Sequence, residues 1–418
     1  MFCFINKNSA NYCETIKKKV DKKFSKDKTK KIHLLFVCHR PAIWNYLKSV
    51  YENAINDDRF QVTIVTIPKK NNLKNLGFSH EIYDDEGAYE YFKSFNCTVI
   101  NGFNKQNNKF LDLKKLKPHY IFFQQPYNIM RPKEYHSKRL FKIAKLCFVF
   151  YGHEFLNEKY GQITYSFGND YFKYMYFIFA SNQFERLSYI KGIKDSNCNY
   201  NYNNIIITGS PVFDCHDSFK DVKNSIWKNQ NNFKILRNAR WCTSEKNCTF
   251  LEYEKLLFDF CESKDINLVY RPHPQAFQNY ILENIMTEYE IEKMIERYNL
   301  SKNNTIDLSK DYKEIMYSSD ILITDPSGLA FEYLVTEKPI IYTKKSNESL
   351  NEIAIEIFND ACYCVENWQE LEQTIMMLKS GYDPKKQKRL DIIRKYLKIS
   401  NNAGKMIIDI IAKDFYEN

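Results

Sequence analysis

The stretch SSDILITDPSGLAFEYLVTEKPIIY, residues 318–342, reads as one mechanical unit. An apolar run, Ile321-Leu322-Ile323, ends at Thr324-Asp325-Pro326-Ser327-Gly328. A helical pattern follows, stops near Glu337-Lys338-Pro339, and gives way to a second apolar run, Ile340-Ile341-Tyr342. Strand, turn, helix, strand is the crossover that parallel pairing requires. Asp325 is placed to cap the helix, and Pro326 suits its first turn. Ser327 and Gly328 then fall at a helix N-terminus, where unsatisfied N–H groups and the dipole favour an anion. Glycine lets a phosphate come close to the backbone. Glu332 lies one turn further along the face of Gly328, a position suited to a ribose diol. The same pattern also describes an ordinary capped crossover helix, with Phe331, Leu334 and Val335 burying its other face.

Outward from this unit the chain keeps alternating. HLLFVCH (33–39), FQVTIVTIP (60–68), HYIFFQQP (119–126), KLCFVFYG (145–152) and MYFIFASN (175–182) form a first series of strand-like runs. NNIIITGSP (203–211), FKILRNARW (233–241), INLVYRPHP (266–274), DILITDPSG (320–328) and KPIIYTKK (338–345) form a second. Near-continuous apolar strands separated by helical segments mean parallel sheets covered on both faces. The expected class is α/β with two Rossmann-like lobes. The boundary falls near KDSNCNYNYNN (194–204), which is polar and turn-rich. The expected partition is a peripheral Lys-rich segment at 1–31, an acceptor lobe at 32–200, a nucleotide-donor lobe at 201–387, and a C-terminal helix at 388–418 packing back across the lobes.

Composition narrows the class. A chain of 418 residues accommodates two domains. No apolar stretch nears the roughly 20 residues of a membrane span. The N-terminus lacks the order of a secretory signal, so a cytoplasmic location is expected. Twelve cysteines are scattered through apolar runs without a CxxC pair, which reads as buried, reduced thiols. The net charge of +10 suits an anionic substrate or an anionic membrane face. It lacks the dense basic stripe of a nucleic-acid module. HExxH, Walker, GxGxxG and GxSxG patterns are absent, and no metal site emerges.

In doubly wound sheets ligands sit beyond the carboxyl ends of the strands, so the informative residues are those just after each run. RPHP (271–274) offers Arg271, whose planar fork suits phosphate, and His273, stiffly posed between two prolines. RNARW offers Arg240 as a further phosphate ligand. TGSPVFD (208–214) supplies Gly209 in a turn. In the first series His153 and Glu154 follow KLCFVFYG, and a histidine there can take the proton of an acceptor hydroxyl. His39 and Arg40 follow the first strand and are placed for an anionic acceptor; Trp44 reads as core.

The ordered set of ITGSPVFD, ILRNARW, RPHP and SDILITDPSGLAFEYLVTEKPIIY resembles the CDP-glycerol glycerophosphotransferase family, which includes teichoic-acid polymerases and capsule transferases. The resemblance implies a GT-B architecture, two Rossmann-like lobes with a cleft between them and the nucleotide held mainly by the second. It implies transfer of glycerol phosphate, or a similar unit, from a CDP-linked donor to a glycan or lipid-linked glycan, with release of CMP. No metal and no other cofactor is implied. The family's RxHP histidine matches His273, implied to contact donor phosphate. Its TDYSS stretch matches Thr324-Asp325-Pro326-Ser327-Gly328, with Pro and Gly where the family has Tyr and Ser. Its WHGT histidine has as nearest segment Tyr151-Gly152-His153-Glu154, with Gly and His reversed. His153 and His273 are therefore the expected catalytic pair. Arg271, His273, Arg240, Ser327 and Gly328 are expected on the donor phosphates. Glu332, Asp325 and Gly209 are expected on the ribose and nucleotide, and His39, Arg40 and Glu154 on the acceptor. A peripheral position at the inner membrane face and no nucleic-acid partner complete the expectation. The SG…E spacing is also similar to nucleotide-sugar epimerases and glycosyltransferases. A non-catalytic nucleotide-binding subunit of a polymer-assembly complex is a third possibility.

Overall fold

A computed structural model of the chain describes residues 7–24, 31–71, 82–84, 87–152, 171–195, 200–219, 222–241, 248–309, 311–345, 350–397, 399 and 402–417. Described residues up to Cys215, with those from Lys398 onward, form one compact unit; those from His216 to Leu397 form a second.

The first unit is built on a parallel sheet of β1 (Ile32–Cys38), β2 (Phe60–Thr66), β3 (Thr98–Asn101), β4 (Tyr120–Phe123), β5 (Lys145–Val149), β6 (Met175–Ala180) and β7 (Ile205–Ile207), in the order β7-β6-β5-β4-β1-β2-β3. Every residue of β1 is buried. Its alternate side chains enter different cores: Leu34 and Phe36 join one face with Trp44, Ile407 and Ile408, while Leu35 and Val37 join the other with Ile121, Phe148 and Tyr171. That is the signature of a sheet covered on both sides.

Three expectations change here. The run at 205–207, assigned by sequence to the second lobe, pairs with β6 as the outer strand of the first sheet, Ile178 opposite Ile205. An apolar triplet carries no mark of which neighbour it will take. The Lys-rich N-terminal stretch, expected to be peripheral, forms the helix Lys7–Phe24, which buries Val20 and Phe24 in the first core. The helical pattern at 388–418 is two helices. Lys386–Tyr396 packs on Glu352–Ala361 in the second unit, whereas Ala403–Glu417 packs on Asn45–Ile55 in the first.

The return of the last helix is pinned by chemistry at both ends. Asp214 accepts the N–H groups of Ala403 (2.9 Å) and Gly404 (2.7 Å) and the Ser49 hydroxyl at 2.6 Å, so it caps the helix and ties it to Asn45–Ile55. Near the other end, buried Asp414 accepts from Tyr120 Oη (2.5 Å), Lys145 Nζ (2.6 Å) and Tyr176 Oη (3.2 Å).

The second unit holds a parallel sheet of β8 (Lys234–Asn238), β9 (Asn267–Tyr270), β10 (Asn304–Ile306), β11 (Ile321–Thr324), β12 (Ile340–Thr343) and β13 (Tyr363–Val365). Its order is β10-β9-β8-β11-β12-β13. Both sheets therefore reverse direction of growth once, between β1 and β4 in the first and between β8 and β11 in the second. A crevice opens at such a switch point because the crossovers leave in opposite directions. Among the described residues no helix is long and apolar enough to cross a membrane.

Candidate functional site

The loops after β8 and β11 flank the switch point of the second sheet, and both are stiffened from beneath. Asp325, fully buried, accepts the Arg240 N–H (2.7 Å), the Thr249 N–H (3.1 Å), the Thr249 hydroxyl and the Thr343 hydroxyl (2.6 Å). Arg237, also buried, lies 3.4 Å from the same carboxylate and donates to Thr249 Oγ1 at 2.6 Å. A carboxylate has about four lone-pair sites. Asp325 is thus committed within the protein, which leaves it a brace rather than a nucleotide ligand. The helix cap expected of Asp325 belongs to Ser327, whose Oγ accepts the Ala330 N–H at 3.3 Å. The Ser327 hydroxyl also meets Thr324 Oγ1 at 3.0 Å. The helix Gly328–Tyr333 starts one residue later, and a Cβ added at Gly328 would meet nothing within 4 Å.

Arg240 is held at every polar point of its backbone. Its N–H reaches Asp325, its carbonyl accepts from Tyr280 Oη and Cys248 Sγ (each 3.1 Å), and its Nη1 donates to the Pro326 carbonyl at 3.0 Å. Its guanidinium therefore lies beside the turn that carries Ser327 and Gly328.

The loop after β9 is tied to the same edge by Asn238, whose Nδ2 donates to the Arg271 carbonyl at 3.0 Å. Arg271, expected on phosphate, spends much of its fork inside the protein. Nη1 pairs with buried Asp307 and reaches Ser309 Oγ (3.3 Å), and Nη2 donates to the Ser309 carbonyl (2.9 Å). Two residues on, His273 is half-buried, and its Nδ1 accepts the Gln275 N–H at 3.2 Å. An acceptor Nδ1 puts the proton of a neutral ring on Nε2, so Nε2 is the edge that can donate. Trp241 flanks this ring, centroids 6.0 Å apart. Glu332 is buried, and its Oε2 accepts the Tyr312 hydroxyl at 2.6 Å.

At the switch point of the first sheet, Gln124, just after β4, gathers the loop after β1. Its Oε1 accepts the N–H groups of His39 (2.7 Å) and Arg40 (3.0 Å), and its Nε2 returns to the Arg40 carbonyl (2.9 Å). His39 is buried and Arg40 half-buried. Trp44 is core, packed edge-on against Phe36 and Phe92. Gly209 lies in the first unit, buried, at φ 87°, a left-handed turn that favours glycine. His153 and Glu154 lie outside the described residues.

Sequence reasoning thus finds the loops but misses their braces: Arg237, Thr249, Thr343, Asp307, Tyr312 and Gln124. Gln124 had a signal, as a polar residue immediately after a strand. Tyr312 had none, since it sits inside an amphipathic stretch. Among the described residues no three His, Cys, Asp or Glu side chains gather as a metal site.

Comparison with known proteins bears on the fold and on the lineage. Against solved structures, the chain matches the wall teichoic acid polymerase TagF with a TM-score of 0.59 at 14% identity, over 96% of this chain and 94% of that one. It matches UDP-GlcNAc 2-epimerase from Methanocaldococcus jannaschii with a TM-score of 0.54 at 12% identity, over 91% and 99%. The chain has the GT-B fold that these proteins share. Among curated proteins it is 25% identical over 187 residues to the minor teichoic acid biosynthesis protein GgaB of Bacillus subtilis (strain 168). That match spans 42% of this chain and only 19% of the relative's length. Residues 186–352, which carry Arg240, RPHP and the stretch 318–342, match the model for CDP-glycerol:poly(glycerophosphate) glycerophosphotransferase, so that less than half of this chain is similar to that family.

Proposed function

We propose that this protein is a transferase that moves glycerol phosphate, or a related polyol or sugar phosphate, from a CDP-activated donor to a hydroxyl of a surface polysaccharide of teichoic-acid or capsule type. The observation that carries the reading is the gathering of Arg240, His273, Ser327-Gly328 and Glu332 beyond the carboxyl edge of one sheet, inside the segment that matches the family. The acceptor oxygen attacks the β-phosphorus. The bond from that phosphorus to the bridging oxygen breaks, and CMP leaves with the bonding pair. The acceptor proton passes to a histidine, His153 or, in its place, His39; Arg40 and Glu154 serve the acceptor. Arg240, the Nε2–H of His273 and the N–H groups at Ser327-Gly328 offset charge on the phosphates. Glu332 takes the ribose, and Arg271 stands behind the phosphate loop. The chemistry needs no resident cofactor. A lipid-linked acceptor would bring the protein to the inner face of the cytoplasmic membrane, where its net charge of +10 is favourable.

Incubation with CDP-glycerol and a teichoic-acid-type acceptor should release CMP. Calorimetry with CDP-glycerol, CMP, UDP and UDP-GlcNAc should show a cytidine preference. Tight UDP binding without that preference would favour a nucleotide-sugar enzyme of the kind that shares the fold. Binding of CDP-glycerol without turnover, with His153→Ala behaving as wild type, would favour a non-catalytic subunit.

A further inference from the structure

The loop after β4 holds a cation with no counter-charge beside it. Arg131 is 2% exposed, and its guanidinium lies between two rings, with Cζ 4.5 Å from the centroid of Phe123 and 5.3 Å from that of Tyr171. Nη1 donates to the Gln125 carbonyl at 2.6 Å and Nη2 to Asn128 Oδ1 at 2.8 Å. Among the described residues no carboxylate pairs with it, and its Nε has no acceptor. Burial pushes the guanidinium down to about 10, so it is still charged at neutral pH. The ring quadrupoles offset part of the desolvation. A buried charge without a partner still costs stability, and an apolar side chain of similar volume often serves as well or better. Packing alone therefore does not need an arginine here. What an apolar side chain cannot supply is a planar fork with two donors at a fixed angle.

That fork closes the loop on itself. Gln125 is tied twice, by its carbonyl to Arg131 and by its Nε2 to Met130 Sδ at 3.2 Å. The residue before it is Gln124, whose Oε1 accepts the N–H groups of His39 and Arg40 and whose Nε2 donates to the Arg40 carbonyl. Strand β4 holds the main chain on one side of Gln124, and Arg131 holds it on the other. We infer that Arg131 is a positioning residue for the acceptor: its fork sets the loop 124–131 so that Gln124 holds the His39–Arg40 backbone in one place. The inference rests on the proposed acceptor role of His39 and Arg40.

The test uses the full chain and two variants, Arg131→Met and Arg131→Lys, with two readouts. One is amide hydrogen exchange, read by mass spectrometry on peptides spanning residues 37–44. The other is CMP release from CDP-glycerol with synthetic poly(glycerol phosphate) as acceptor. Arg131→Met should melt close to wild type, because the desolvation of the charge disappears together with its two bonds. Exchange at 37–44 should quicken on the order of tenfold, the worth of one hydrogen bond, with β5 and β6 unchanged. The acceptor kcat/KM should fall on the order of 10–10²-fold, as small misplacements cause, while affinity for CDP-glycerol stays as in wild type. Arg131→Lys keeps the charge without the fork and should behave like Arg131→Met. Unchanged exchange at 37–44 in Arg131→Met overturns the inference. So does exchange that quickens throughout the first unit with a fall in melting temperature, which a purely structural arginine would give. Full rescue by Arg131→Lys also overturns it, since charge alone would then suffice. If wild type releases no CMP, the transferase reading fails, and exchange at 37–44 still decides whether Arg131 positions the loop.

Discussion

Asp325 accepts the backbone N–H of Arg240 at 2.7 Å, and this bond joins the two loops on either side of the second sheet's switch point. Because the carboxylate also faces buried Arg237, Asp325→Asn removes the charge partner of a guanidinium that cannot reach water. Breaking one side of such a pair costs about 3–5 kcal/mol. Urea unfolding should therefore shift down by an amount of that order, and nucleotide affinity should fall with it. A variant with a wild-type midpoint would show that the two loops do not depend on this brace.

His273 behaves differently. Its side chain is half-buried, and its Nδ1 accepts the N–H of Gln275, only two residues away in the same loop. His273→Ala should lower turnover on the order of 10²-fold, as loss of one charge-stabilising donor does. Its melting temperature should stay close to wild type. A melting shift comparable to that of Asp325→Asn, with turnover little changed, would make His273 a structural residue.

Arg271 combines both kinds of behaviour, and a double-mutant cycle separates them. Arg271→Ala leaves Asp307 buried and unpaired, a loss of about 3 kcal/mol or more. Adding Asp307→Ala removes the stranded charge, so the double variant should be more stable than Arg271→Ala alone. Chemical denaturation of the four proteins measures this. Additive losses would mean that the two residues do not act as a pair.

The contrast among these residues explains what the sequence could and could not announce. The two doubly wound sheets were legible because β1, β9, β11 and β12 are largely apolar, and a run of that kind fits a strand covered on both faces. The loops after those strands were legible for the same reason, since the fold predicts where ligands go. What sequence could not show is which polar side chain turns inward. Asp325 and Ser327 are two residues apart and both suit a helix cap; only the packing of Thr249, Thr343 and Arg237 around Asp325 decides that Ser327 caps and Asp325 braces. The domain boundary failed on a similar point. Ile205–Ile207 reads as a strand in either unit, and its choice of β6 depends on neighbours far away in the chain.

The buried cluster around Asp414 predicts an alkaline weakness of the first unit. Burial alone would push the Lys145 amine down, but the charge of Asp414, with Tyr176 and Asp21, holds it above its ordinary value. Burial and then Asp414 push the Tyr120 phenol up as well. A group whose folded value is raised contributes stability that is intact below its unfolded value and is lost as pH rises toward the folded one. Both contributions are therefore whole at neutral pH and erode above about pH 10, where free lysine and tyrosine titrate. Unfolding free energy should fall between about pH 9 and pH 11, and Tyr120→Phe should fall less steeply. Parallel pH profiles for the two proteins would remove Tyr120 from the account.

Two glycines give the sharpest separation of structure from ligand binding. Glycine to alanine inside a helix ordinarily gains up to about 1 kcal/mol. At Gly404, a Cβ would stand 2.6 Å from the Ser49 carbonyl carbon and 2.7 Å from its oxygen, and a backbone cannot step aside. Gly404→Ala should therefore destabilise by about 1–3 kcal/mol, the cost of overpacking, in spite of the helical gain. At Gly328, a Cβ would meet nothing within 4 Å. Gly328→Ala should melt at or above the wild-type temperature, since only the propensity term acts. If a donor phosphate comes against this turn, the same methyl group occupies the space that phosphate needs. Affinity for CDP-glycerol should then drop on the order of tenfold in a protein that is no less stable, which only a ligand can explain. Gly328→Ala that binds CDP-glycerol as tightly as wild type would place the phosphates elsewhere and return the turn at 324–328 to the role of an ordinary crossover.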